Sequence, residues 1–381
     1  MDEPQLTVLH VDTERGWRGG ERQVLWLAAG MRERGHRAIV VARHADELAR
    51  RAADRGLEVI TTSPRGELDL SAAYALRRAV VDNRADVIHA HTAHAAAQAA
   101  LAQLGTTAKL VMARRVDFPL RRNVITRLKY GRADAVIAVS RAAAEVAAHR
   151  GVHRDRIHIV PDGVDLRRQI RPADRETLRS LGIGDETPLI VQVAALVPQK
   201  DPLTFIRAIG VARQRVPELR ALMVGDGPLR AEAQDEVKRL RLDRVIALAG
   251  FRRDADELLA AGTVAVLSSV AEGLGSVVLD AMAFGVPIAA TTAGGVPDVI
   301  THGETGLLSP PRDASALAEN IVRLLLDRAL AASLTARARE RVKDFSVERM
   351  VDRTLDVYAR IGAVPSAFNA DIGSSKVSPD R

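Results

Sequence analysis

No cysteine occurs anywhere in the 381-residue chain. A disulfide scaffold, a thiolate zinc site, an iron–sulfur cluster and a cysteine nucleophile are all excluded by that. Aromatic residues make up 3%, which argues against a single-strand nucleic-acid platform, where bases stack on rings. No apolar run approaches the roughly 18–20 residues that span a bilayer. Met1-Asp2-Glu3-Pro4 is acidic and leads straight into a strand-like segment, unlike the basic start of a signal peptide. The expectation is a cytoplasmic protein. Neither half carries Gly-x-Gly-x-x-Gly after its first strand, which turns the reading away from a dehydrogenase. What is present is ordinary for a globular protein, 47% hydrophobic and 27% charged, and long enough for two domains. Lys and Arg number 55 against 48 Asp and Glu, a formal charge of +7. That balance favours an anionic partner: a nucleotide, a phospholipid surface or a nucleic acid.

Short apolar runs alternate with longer amphipathic ones. Strands are expected over residues 6–11, 38–42, 57–60, 86–90, 109–112 and 135–139. Between the first two, Val24, Leu27, Ala28 and Met31 recur at helical spacing. Residues 161–176 are rich in Pro, Gly and charge and read as a linker. The alternation restarts at 189–193, 219–224, 245–248, 264–267 and 287–290, with a helix marked by Leu317, Ile321, Leu324 and Leu325. The pattern predicts two α/β domains with parallel sheets covered on both faces. They are placed at residues 1–170 and 171–345, followed by a helix over 346–362 and a polar, disordered tail over 363–381. Ligands of such folds bind at the carboxyl ends of the strands, here in a cleft between the domains.

The richest segment is 264–298. A buried strand ends near Ser268, Glu272-Gly273-Leu274-Gly275 forms a loop, and a helix begins near Ser276 with Asp280 in its first turns. Glycines before a helix leave N–H groups free for phosphate, aided by the helix dipole, while nearby carboxylates accept from sugar hydroxyls. The same spacing also fits an ordinary βα turn.

Glu272 through Ala283 resembles the paired-acid signature of retaining glycosyltransferases of family 4, which have the GT-B fold. The resemblance extends to Gly285-Val286-Pro287, Gly294-Gly295-Val296-Pro297-Asp298, His302-Gly303-Glu304-Thr305-Gly306 and Val224-Gly225-Asp226-Gly227-Pro228. In the first half it takes in Gly19-Gly20-Glu21-Arg22-Gln23, Arg34-Gly35-His36, Val139-Ser140-Arg141 and Ile159 through Asp165. It covers about residues 6–345 in order. The resemblance implies two Rossmann-like domains facing across a cleft, with the C-terminal helix returning toward the first. It implies a nucleotide-sugar donor on the second domain, a hydroxyl-bearing glycan or lipid-linked acceptor on the first, no nucleic-acid partner, and no metal or other cofactor. Carried over, Glu272 holds the donor sugar, the backbone at Leu274, Gly275 and Ser276 holds the diphosphate, Asp280 binds the ribose, Lys200 contacts the diphosphate, and Gly20 approaches it from the first domain.

Four features depart from that pattern, one of them Asp162, where asparagine is commoner. The second acid is Asp280 where glutamate is usual, Ala195 stands where an arginine is expected, and the segment Met112-Ala113-Arg114-Arg115-Val116-Asp117 lacks a histidine many members carry. Arg18 and Arg22 flank the first-domain loop and are the cations that could fill the gap left at Ala195.

His89, His91 and His94 lie within six residues. With no acid cluster to complete a metal set, the expectation is one core histidine and one, His91, on the acceptor side. Asp254-Ala255-Asp256 is read as a helix N-cap rather than a manganese motif. Residues 114–129 hold six cations and one acid, with Leu120, Val124, Ile125 and Leu128 on one helical face. This fits either a helix packed on its own domain or a peripheral contact with an anionic membrane at the inner face. The function expected is sugar transfer with retention in envelope glycolipid or polysaccharide synthesis. The rivals are a GT-B nucleotide-sugar 2-epimerase and a non-catalytic nucleotide-sugar-binding protein.

Overall fold

The computed structural model describes residues 5–66, 69–115, 130–184 and 186–363. The basic segment over 116–129 and the tail over 364–381 lie outside the described residues. The chain forms two compact units, one of Met1–Gly163 with Val347–Arg381 and the other of Val164–Ser346.

The first unit holds a seven-stranded sheet in the order β3-β2-β1-β4-β5-β6-β7. Its strands are β1 (Thr7–Val11), β2 (Arg37–Arg43), β3 (Glu58–Thr62), β4 (Val87–Ala90), β5 (Lys109–Arg114), β6 (Ala135–Ala138) and β7 (Ile157–Ile159). Every pairing is parallel. β4 and β6 are buried at every position, as strands covered by helices on both faces must be. Helix Gly19–Glu33 buries Val24, Leu25, Leu27, Ala28 and Met31, and Gly35, at φ 84°, turns the chain into β2.

The C-terminal helix Val347–Arg360 completes this unit. Val347, Met350, Val351, Thr354, Val357 and Tyr358 are buried on one face at helical spacing. It packs on Gly19–Glu33 so closely that a Cβ at Gly30 would lie 2.6 Å from Val351 Cγ2. Arg34 fixes the register by an ion pair to Asp352 at 2.7 Å and a hydrogen bond to the Glu348 carbonyl at 3.1 Å. Burying apolar side chains of this size stabilises by about 1.5–3 kcal/mol each, so the buried face outweighs the exposed ion pair.

The second unit holds a six-stranded parallel sheet, β10-β9-β8-β11-β12-β13. The strands are β8 (Leu189–Val193), β9 (Arg220–Val224), β10 (Ile246–Gly250), β11 (Val264–Leu267), β12 (Ile288–Thr291) and β13 (Leu307–Ser309). Its core is built by Phe205, Ile206 and Ile209 with Leu317, Ile321 and Leu324 over the sheet.

Three findings correct the sequence reading. β7 and β13 were not anticipated; at three residues each they are too short to show a period. The units divide at Gly163/Val164 rather than 170/171, because Val164 bridges Ser346 and donates to the Phe345 carbonyl at 2.8 Å. Asp254 precedes helix Ala255–Ala260 but makes no side-chain cap bond. Its carboxylate is bidentate to Arg252, at 2.8 and 2.5 Å, and a charged planar pair outcompetes a backbone N–H.

Candidate active site

In each sheet the strand order reverses once, between β1 and β4 and between β8 and β11. Loops leaving the carboxyl ends of two such strands diverge and open a crevice.

In the second unit the crevice is lined by the loops after β8 and β11. They are stitched together: the amides of Val270 and Ala271 donate to the Gln199 carbonyl at 2.9 and 3.3 Å. This brings Lys200 and Glu272 into a direct ion pair. Glu272 is buried, 7% exposed, and also accepts from Ser269 Oγ at 2.8 Å. Gly275 caps helix Ser276–Phe284 in the left-handed region, φ 87°. A Cβ there would also press on Leu267 and Val296 at 3.3 and 3.4 Å, so both the conformation and the packing select glycine. A glycine cap offers no side-chain oxygen to the first-turn N–H groups, which leaves them to a ligand. Leu274 is buried. Ala195 is exposed.

Asp280, on the second turn of this helix, is 3% exposed. Arg168 Nη1 stands 3.7 Å from its carboxylate, and the same guanidinium pairs with Asp256 beside the Phe284 ring. Sequence reasoning left Arg168 inside the linker. Its partners lie far along the chain, and no local pattern marks such a contact.

The crevice of the first unit is different in kind. His10 lies within β1's buried run, His89 lies on β4, and His91 follows it; all three are buried. His91, expected on the acceptor side, is buried like His89 and meets His10, with Nε2 and Nδ1 3.1 Å apart. His89 Nδ1 meets the Tyr358 hydroxyl at 2.8 Å, and its ring lies 4.1 Å from that of His91. Burial, with the Arg115 charge adding to it, pushes His10 down to about 3. Burial and the neighbouring cationic groups hold His89 and His91 well below the usual histidine range. One ligand nitrogen from each lies within 4.8 Å of the others, so a metal set exists by distance. The Arg115 charge beside all three opposes a dication.

Around them, burial first and then Glu21 push Asp12 up to about 7. Arg115 pairs with Asp162, whose carboxyl burial raises. Arg18 precedes helix Gly19–Glu33, its amide donating to Glu21 Oε2 at 2.8 Å. Gly20, in the first turn, has nothing within 4 Å of where a Cβ would be, and Arg22 lies over the Trp26 ring. His94 stands apart from the histidine cluster, at 3.0 Å from Glu14.

Solved structures with this fold include HepE of Anabaena in complex with UDP and glucose, at TM-score 0.82 and 22% identity over 93% of this chain and 100% of that one. Sucrose-phosphate synthase of Thermosynechococcus elongatus aligns at TM-score 0.77 and 21% identity, over 94% and 100%. The two parallel-sheet units have the GT-B fold. The chain belongs to glycosyltransferase family 4: the family model "Glycosyltransferase Family 4" matches residues 17–168, and "Glycosyl transferases group 1" matches 174–341. Among curated relatives, N-acetyl-alpha-D-glucosaminyl L-malate synthase of Bacillus anthracis is 29% identical over 237 residues, 62% of each chain. D-inositol 3-phosphate glycosyltransferase of Rhodococcus opacus is 33% identical over 248 residues, 62% of this chain and 54% of that one. The match thus spans less than two thirds of these relatives' own length. No helix among the described residues is long and apolar enough to cross a membrane.

Proposed function

We propose that the protein transfers a sugar from a nucleotide-diphosphate donor to a hydroxyl acceptor with retention at the anomeric carbon, in the synthesis of an envelope glycolipid or polysaccharide. The observation that carries this is the Lys200–Glu272 pair beside the glycine-capped helix Ser276–Phe284. The N–H groups at Leu274, Gly275 and Ser276 receive the diphosphate. Lys200 neutralises the charge that grows as the glycosidic bond breaks. Glu272 accepts from hydroxyls of the donor sugar, and Asp280 from the ribose. Stabilising a departing diphosphate by preorganised donors and a cation requires no metal, so the reaction is metal-independent. The relatives bound to UDP and to UDP-glucose support a nucleotide-sugar donor.

The neutral crevice of the first unit suits an uncharged hydroxyl acceptor, with His91, Arg18 and Arg22 on that side and Gly20 open to a ligand. The work is done in the cytoplasm, at the inner face of the membrane when the acceptor is lipid-linked. Incubation with UDP-, GDP- and ADP-sugars, followed by mass spectrometry, tests the reading. Transfer or slow hydrolysis is expected. Isomerisation of a nucleotide sugar without acceptor would identify an epimerase, and binding without turnover a non-catalytic protein.

A further inference from the structure

Ser268 directly follows β11 and is fully buried. Its Oγ lies 3.0 Å from the Lys200 carbonyl and 2.9 Å from that of Asp201. Carbonyls only accept, so the single hydroxyl proton is committed to them. The third contact, Gln192 Nε2 to Ser268 Oγ at 2.6 Å, is then an N–H donated to the hydroxyl lone pair. That fixes the orientation of the amide. Turned round, Gln192 Oε1 would need the proton that the Lys200 and Asp201 carbonyls already hold.

The orientation has a cost. Gln192 is 2% exposed, and its Oε1 has no hydrogen-bond partner among the described residues. A buried acceptor without a donor is destabilising, and such exceptions concentrate where function demands them. Lys200 is held from the other side too. Asp201 sits at φ 43°, in the left-handed region, and caps helix Pro202–Ala212 by accepting from the Thr204 amide at 3.2 Å and its hydroxyl at 2.6 Å. The peptide leaving Lys200 is thus pinned at its carbonyl and at the next residue, while the ammonium reaches Glu272.

We propose that Ser268, oriented by Gln192, is a positioning residue that aims Lys200 at the diphosphate of the donor. This rests on the role given to Lys200 above. Neither side chain touches the substrate in this account; both act through the Lys200 backbone.

The test measures binding of UDP, GDP and ADP, each against its own nucleoside, by titration calorimetry. The nucleoside reports the rest of the site, so the ratio of the two affinities isolates the diphosphate. Ser268→Ala should lower that ratio by about five- to tenfold, the size of one lost hydrogen bond, with nucleoside affinity unchanged. Ser268→Thr, which keeps the hydroxyl, should restore it to within about twofold. Gln192→Met should lower the ratio as Ser268→Ala does while the thermal midpoint does not fall, because the orphaned Oε1 leaves with the amide. In a Lys200→Ala background, Ser268→Ala should change the ratio by less than about twofold, since residues acting through one group are not additive. An undiminished effect in that background would overturn the positioning role. So would a lower midpoint in Gln192→Met with the ratio intact. A Lys200→Ala variant that retains the full ratio would instead defeat the role of Lys200 itself, and failure of the unaltered protein to bind any of the three diphosphates would defeat both.

Discussion

The two units share one scaffold, a parallel sheet that reverses its order once, and they furnish the resulting crevices in opposite ways. In the first, three buried histidines are held neutral, and Asp12 keeps its proton to about pH 7. In the second, an ammonium meets a carboxylate at the entrance and a second carboxylate is buried behind it under an arginine. Burial, and after it the Glu21 charge, raise Asp12 against the Glu14 amide and Arg115. Glu272, also buried, has a cation and a hydroxyl as direct donors. Neutral histidines suit hydroxyl groups, and the exposed end of an ion pair suits phosphates and the charge that moves through them.

Lys200→Ala gives the largest expected effect and the sharpest way to break this contrast. Removing one preorganised contact to a developing charge lowers turnover by about 10²–10³. A near-normal rate, with Arg18→Ala or Arg22→Ala severe instead, would move the phosphate cation to the first unit. Asp280→Ala comes next. Losing a charged hydrogen bond to ribose should weaken UDP or GDP binding about ten- to a hundredfold by calorimetry. Asp280→Glu is expected to stay close to the unaltered protein if Arg168 still reaches the longer side chain.

Tyr358→Phe probes the neutral crevice. It leaves His89 Nδ1 buried without its hydroxyl and should cost about 1–3 kcal/mol in urea unfolding, with UDP affinity unchanged. A loss of UDP affinity would tie the two crevices together and blur the contrast.

The smallest effect is one of pH. His10, lowered from 6.5 to about 3, contributes stability that is complete above pH 6.5 and is lost as pH falls toward about 3. Asp12, raised from 3.8 to about 7, runs the other way. Its contribution is complete below pH 3.8 and is lost as pH rises through about 7. Between these limits the two slopes oppose each other. Asp12→Asn removes one of them, so stability should fall more steeply with acid over roughly pH 4–6.5, by up to about 1.4 kcal/mol per pH unit. Urea midpoints measured across that range check it. An unchanged slope would mean that Asp12 is already ionised in the folded state.

The frame of both units was legible because long strands and helices announce themselves by period. The loop at Glu272–Gly275 and the helix from Ser276 were legible because glycines and a buried run stand side by side in the chain. What stayed hidden was pairing at a distance. Arg168 looks like any linker arginine until Asp256 and Asp280 are seen beside it. Ser268 and Gln192 look like polar residues at strand ends until both meet near the Lys200 carbonyl. Strand alternation could not show that β1 supplies His10 as the neighbour of His91, and a cap signature could not show that Arg252 competes for the Asp254 oxygens.

The C-terminal helix has a consequence for how the molecule is made. Because Val347–Arg360 belongs to the first unit, the whole second unit is an insertion within the first. A ribosome moving from the N-terminus finishes Val164–Ser346 before it reaches the helix that seals the earlier unit, so the usual first-made, first-folded order is broken. Until then the ridge around Gly30 stays in water, and the nascent chain carries an open apolar seam. A chain that stops short of Tyr358 therefore carries every residue of the second unit and lacks part of the helix that completes the first.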